Sequence, residues 1–246
     1  MTVKYDDPVA LAHGKVNIKP LREKPGFPSW AMKLTMAVTG LIFALFVLFH
    51  MIGNLKIYMG ADHFNDYADF LRRMGEPLVP REGILWALRV ILIIALVLHV
   101  WCAFALKGRS HQSRGRFKRT GKVKSFNVFT ASSMLGTGAV LLLFIIFHIL
   151  DLTIGKGVAS SSFEHNQAYN NLVSSFDRPW VAIIYILCML VLFLHLSHGI
   201  WLASSDLGIT GHRWRQVILW ISYIVPAIIM IGNISIPVAV LCGLGS

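Results

Sequence analysis

Five apolar stretches, each long enough to cross a bilayer as a helix, decide most of what this chain can become. A hydrocarbon core about 30 Å thick needs about 20 helical residues per crossing. Lipid offers the backbone no hydrogen-bond partner, so only helices or closed barrels span it. The apolar runs here are too long for barrel strands and lack their period-2 alternation. They predict membrane helices over Trp30–Tyr58, Ile84–Leu106, Phe129–Gly155, Trp180–Ser205 and Gln216–Gly243. Only 14% of the residues are charged, against about 25% in soluble domains. The expectation is an all-α integral membrane protein with a polar tail at 1–29 and a five-helix domain at 30–246. That tail contains no apolar segment before Trp30, so no cleavable signal peptide is expected and the first helix itself directs insertion.

Loop charge predicts the orientation. The tail to Lys33, the loop between the second and third helices, and the loop between the fourth and fifth together carry sixteen basic residues against four acids. The opposite side carries seven against eight. The positive-inside rule then puts the N-terminus in the cytoplasm and the C-terminus outside. Because the basic residues lie in loops between spans, the net charge of +11 gives no reason to expect nucleic acid. The run RSHQSRGRFKRTGKVK is a candidate contact for anionic lipid. In the loop after the first helix, Phe64, Tyr67, Phe70 and Leu71 recur at helical spacing and predict a short interfacial helix ending before Gly75.

Each of the first four apolar stretches contains a deeply placed histidine: His50, His99, His148 and His195. Ionisable side chains are costly inside a bilayer and point to function. At 1.5 Å per residue, His50 and His148 lie about 25–27 Å from the inner edge, and His99 and His195 about 12–16 Å from it. They therefore sort into two levels, each taking one histidine from each of two helices. That is the arrangement needed to clamp a haem iron between two imidazoles, and it predicts two haem b in a four-helix bundle with the fifth helix packed beside it. Gly40, Gly136 and Gly138 precede His50 or His148 by ten to twelve residues and are read as making room for the macrocycles. His198, three residues after His195, is an alternative ligand, a propionate partner or a quinone contact. Lys33 and Arg89 near the span ends are candidate propionate contacts. Lys56 and Asp151, in the last turns of their helices, are expected to reach water. No helix carries a series of carboxylates suited to ion transport.

The stretches FHMIGNL, VLHVWCAFAL, IIFHILDLTIG and LHLSHGIWLASSDLGI around the four histidines, with the loop YADFLRRMGEPLVP, resemble one family in order and spacing. It is the single-chain, five-helix, di-haem cytochrome b membrane anchor of succinate dehydrogenase and fumarate reductase, and the likeness is closest to its actinobacterial members. The resemblance runs from about Ala31 to Pro237. It implies that His50 and His148 hold the distal haem and His99 and His195 the proximal one.

The resemblance also implies a bacterial plasma-membrane subunit of respiratory complex II. A flavoprotein and an iron–sulfur subunit dock on the cytoplasmic face, and electrons pass to a quinone, menaquinone for the actinobacterial likeness. The chain alone is not expected to turn over succinate. Trp30, Lys33, His198 and Asp206 are candidate quinone contacts. Three rivals stand beside this. One is a haem-free anchor of the same complex with a Rieske-like [2Fe-2S] cluster held by Cys102, Cys188 and two histidines. Another is a transporter with structural histidines, and the third is a pure scaffold that anchors the soluble subunits.

Overall fold

The computed structural model describes residues 26–114 and 126–245, without the side chains of residues 111, 112, 114 and 126–132. The tail before residue 26 and the basic stretch 115–125, on which the expected lipid contact and much of the orientation argument rest, lie outside the described residues.

Among the described residues every regular element is helical. The elements are α1 (Ser29–Asn54), α2 (Ala61–Arg73), α3 (Gly83–Arg114), α4 (Phe126–Ile149), α5 (Ala168–Phe176), α6 (Pro179–Asp206) and α7 (His212–Leu241). Helices α1, α3, α4, α6 and α7 are long and apolar enough to cross a membrane, as expected of a multi-pass membrane protein. Most boundaries fall within a few residues of the sequence expectation. The exception is α3, which runs to Arg114 rather than ending at Leu106. Apolarity stops near Leu106, but no proline follows to break the helix, so it continues as a polar extension. At the start of α6, Pro179 takes a first-turn position, where its missing N–H costs nothing. Helix α7 continues through Pro226 and Pro237.

Helix α6 is the hub. It packs against α1, α4 and α7, while α3 packs against α1. Among the described residues, the pairs α1–α4 and α3–α6 are not closely packed. One end of the bundle is closed by α2 and α5, which pack on each other. Ile57, Phe64, Leu172, Phe176, Val181, Tyr185, Ile236 and Val240 form the core beneath them. The predicted interfacial helix is α2. Helix α5 lies outside the sequence expectation, because AYNNLVSSF is short and mixes apolar with polar residues; its signal is Ala168, Leu172 and Phe176 at four-residue spacing. A second core of Ala44, Met51, Leu196 and Ile229 ties α7 to α1 and α6. Outward-facing residues such as Phe49, Ile93 and Leu143 are exposed, as a lipid-facing surface requires.

Candidate functional site

The fold brings the four histidines together in the two pairs that their depths suggested. The ring centres of His50 on α1 and His148 on α4 are 5.8 Å apart, with planes at 87°. Those of His99 on α3 and His195 on α6 are 6.5 Å apart, with planes at 61°. Two imidazoles bonded to one metal from opposite sides, at about 2.0 Å per bond, have ring centres about 6 Å apart. Both pairs bracket that spacing. Each pair joins two helices that are not in close contact with one another, as clamping a large planar group between helices would require.

Hydrogen bonds orient three of the four rings. The Thr39 hydroxyl donates to the Thr35 carbonyl at 2.7 Å and lies 3.0 Å from His99 Nδ1. A hydroxyl has one proton, so its oxygen accepts from the His99 Nδ1–H. Thr137 repeats the device on α4: it donates to the Ser133 and Met134 carbonyls at 3.1 Å and sits 3.0 Å from His195 Nδ1. In both cases the proton is held on Nδ1 and the Nε2 lone pair is left for a metal. The next residue completes the motif. A Cβ on Gly40 would stand 3.4 Å from His99 Cε1, and one on Gly138 would stand 3.4 Å from His195 Cε1. These two glycines admit the neighbouring imidazole, and open space lies at Gly136.

Thr39-Gly40 and Thr137-Gly138 expose an internal repeat. The segments TGLIFALFVLFH and TGAVLLLFIIFH agree at six of twelve positions, ending on His50 and His148. Phe46 stacks on His50 at 5.4 Å, and Phe144 stands 5.9 Å from His148. Each threonine precedes its own helix's histidine by eleven residues, which separates the two levels by about 16 Å along the helix.

His148 is held differently. Its Nδ1 lies 3.2 Å from the Tyr185 hydroxyl, which donates to Asp151 Oδ2 at 3.0 Å. A carboxylate only accepts, so the phenol oxygen receives the His148 Nδ1–H. Asp151 also accepts from Ser175 Oγ and from Arg178 Nη2, the latter at 2.7 Å. Arg178 in turn bonds the Val158 carbonyl. The expectation that Asp151 reaches water is wrong: it is 1% exposed. Just after His148 the chain widens into a π turn over Leu150–Ile154, a rare form that recurs at functional sites. Asp151 lies in that turn, beneath α5. At the matching position in the first half stands Gly53, where a Cβ would come within 2.6 Å of the Tyr67 hydroxyl. A ring from α2 occupies there the room that a carboxylate occupies in the second half.

The remaining candidates are less gathered. Arg89 pairs with Glu82 at 3.7 Å and lies over the Trp86 ring. Trp30, Lys33 and Asp206 are exposed at the Ser29 end of the bundle, and His198 is half-buried one turn beyond His195. Lys56 holds its ammonium 5.2 Å from the Tyr67 ring centre. Cys102 and Cys188 are buried and free. Among the described residues, no three or more His, Cys, Asp or Glu side chains cluster to hold a metal ion.

No protein-family model, no curated protein and no solved structure matches the chain. The chain's own residues supply two imidazole pairs with ring centres 5.8 and 6.5 Å apart, three of the four rings having a hydrogen-bond partner at Nδ1.

Proposed function

We propose that this chain is the membrane anchor and electron-transfer subunit of a succinate:quinone oxidoreductase. It would pass electrons between an iron–sulfur subunit and membrane quinone through two b-type haems. The observation that carries the reading is the doubled histidine pairing. His50 with His148 would hold one haem and His99 with His195 the other. Such a group would supply a one-electron couple, and two imidazole ligands favour electron transfer over oxygen binding. The chain's own residues do the rest. Thr39, Thr137 and Tyr185 keep a proton on Nδ1 and aim the rings. Phe46 and Phe144 flank them with apolar surface. The 16 Å between levels (about eleven helical residues) makes the bundle a two-station path.

The resemblance supplies the partners. The flavoprotein and iron–sulfur subunits dock on the basic face, which is cytoplasmic under the positive-inside rule, and the chain sits in a bacterial plasma membrane. Quinone reduction consumes two protons, and Trp30, Lys33, His198 and Asp206 lie at the wet Ser29 end beside the His99/His195 level. The two histidine pairs account for both levels without Cys102 or Cys188, which favours haem over the cluster.

A pyridine haemochrome spectrum on the purified complex, with haem quantified per chain, tests the reading. Two haem b per chain is the expected result. One would mean that a pair is misassigned. None would end the di-haem proposal and move Cys102 and Cys188 to the front.

A further inference from the structure

The His99/His195 level lies nearer the Ser29 end of the bundle. From His195, α6 runs about 16 Å on to Asp206 and about 24 Å back to Pro179. On the shorter side α6 carries His198, Trp201 and Ser205, each about one turn further along. Arg215, from the first turn of α7, reaches across to them. Its guanidinium carbon stands 3.3 Å from the Trp201 ring centre, and its Nη1 donates to Ser205 Oγ. The Ser205 hydroxyl gives its own proton to the Trp201 carbonyl at 3.1 Å, so its oxygen is set to accept from Arg215. The guanidinium is thus pinned over the ring, half-buried, with further N–H donors in its fork. Among the described residues it pairs with no carboxylate. The other basic side chains described at that end differ: Lys33, Lys107 and Arg213 are exposed, and Arg109 donates to the Phe27 carbonyl and Ser29 Oγ.

We propose that Arg215 binds the propionate carboxylates of the haem held by His99 and His195. A haem b carries two carboxylates on one edge, and a carboxylate left in the apolar interior of a membrane is costly. That edge therefore faces the nearer wet end, the end at which Arg215 stands. Trp201 follows His195 by six residues, about 9 Å along α6, so the guanidinium lies on the wet side of the ligand carried by the same helix. A guanidinium and a carboxylate match as a two-pronged pair. A guanidinium already pinned by Trp201 and Ser205 loses little further freedom in forming it. The inference rests on the di-haem reading and adds to it an anchoring residue from α7, the helix that lends no axial ligand.

The test follows haem loss from the detergent-solubilised complex to apomyoglobin, with the propionate bending band read beside it by resonance Raman. Two backgrounds separate the levels: His148→Ala keeps the His99/His195 haem, and His195→Ala keeps the other. In the first, Arg215→Gln should speed haem loss about tenfold, as the removal of one charge-assisted hydrogen bond implies, and should shift the band. Arg215→Lys, which keeps the charge, should recover part of both. In the second background Arg215→Gln should change neither. An unmoved rate or band in the His148→Ala background, or equal acceleration in both backgrounds, overturns the inference and leaves the di-haem reading intact. A wild-type complex without haem overturns both. Should Arg215→Gln fail to accumulate, Trp201→Leu is read in its place. It removes the ring beneath the guanidinium, so an unmoved band there overturns the inference equally.

Discussion

The His99/His195 pair and the His50/His148 pair are built on the same four helices, yet they are secured by different means. The first is nearly symmetric: each ring is held by a Thr-Gly dipeptide from a neighbouring helix, the hydroxyl fixing the tautomer and the glycine admitting the ring edge. The second is lopsided: His148 is tied to a buried Arg178–Asp151 pair while His50 stacks on Phe46. The difference follows from where each level lies. The first is backed by helix walls alone, with short hydroxyls whose own protons go to helix carbonyls. The second lies beneath α5 at the capped end, where Arg178 keeps 23% of its side chain exposed and so can neutralise a carboxylate. A countercharge within reach thus sets the polarity of what can stand behind a ligand.

Removing a ligand breaks the comparison most severely. His148→Ala should cost one haem per chain and leave the His99/His195 haem bound, read by haemochrome stoichiometry; loss of both would mean that the levels do not load independently. Next comes the glycine. Gly138→Val places two methyl groups where a single Cβ already stands 3.4 Å from His195, and should abolish the other haem while the helix itself survives. Retention of two haems there would show that the Thr-Gly dipeptide is incidental.

The buried ion pair separates the levels by stability. Arg178→Met leaves Asp151 without its countercharge and should destabilise the capped end by about 3 kcal/mol. The double variant Arg178→Met/Asp151→Asn should recover much of that, as followed by thermal unfolding in detergent. Equal loss in both variants would show that packing, not charge, holds the corner. The smallest effect belongs to Thr39→Val, which strips one acceptor from His99 at about 1 kcal/mol. It should loosen that ring's nitrogen-15 signature while leaving that of His148 unchanged.

Much of this was legible in the residues. Length and apolarity gave the five long helices, because no other structure satisfies a backbone in lipid. Counting residues from the span ends put His50 level with His148 and His99 level with His195, because helical rise is constant. The interfacial α2 followed from the spacing of its apolar residues. Other features were hidden by what they depend on. Asp151 reads as a residue at a helix end, and nothing nearby in sequence says that Ser175, Arg178 and Tyr185 converge on it from two later elements. The Thr-Gly dipeptides look like ordinary helix packing until His99 and His195 are seen against them, although their recurrence eleven and ten residues before a histidine was readable as a repeat.

By itself, the sequence determined the five long helices and which histidines share a level, since these depend on local hydropathy and a fixed rise per residue. Only the tertiary structure decided which groups back each imidazole, where its proton sits and why one carboxylate tolerates burial. Those depend on side chains from distant segments meeting within hydrogen-bond distance, and no local pattern encodes such meetings.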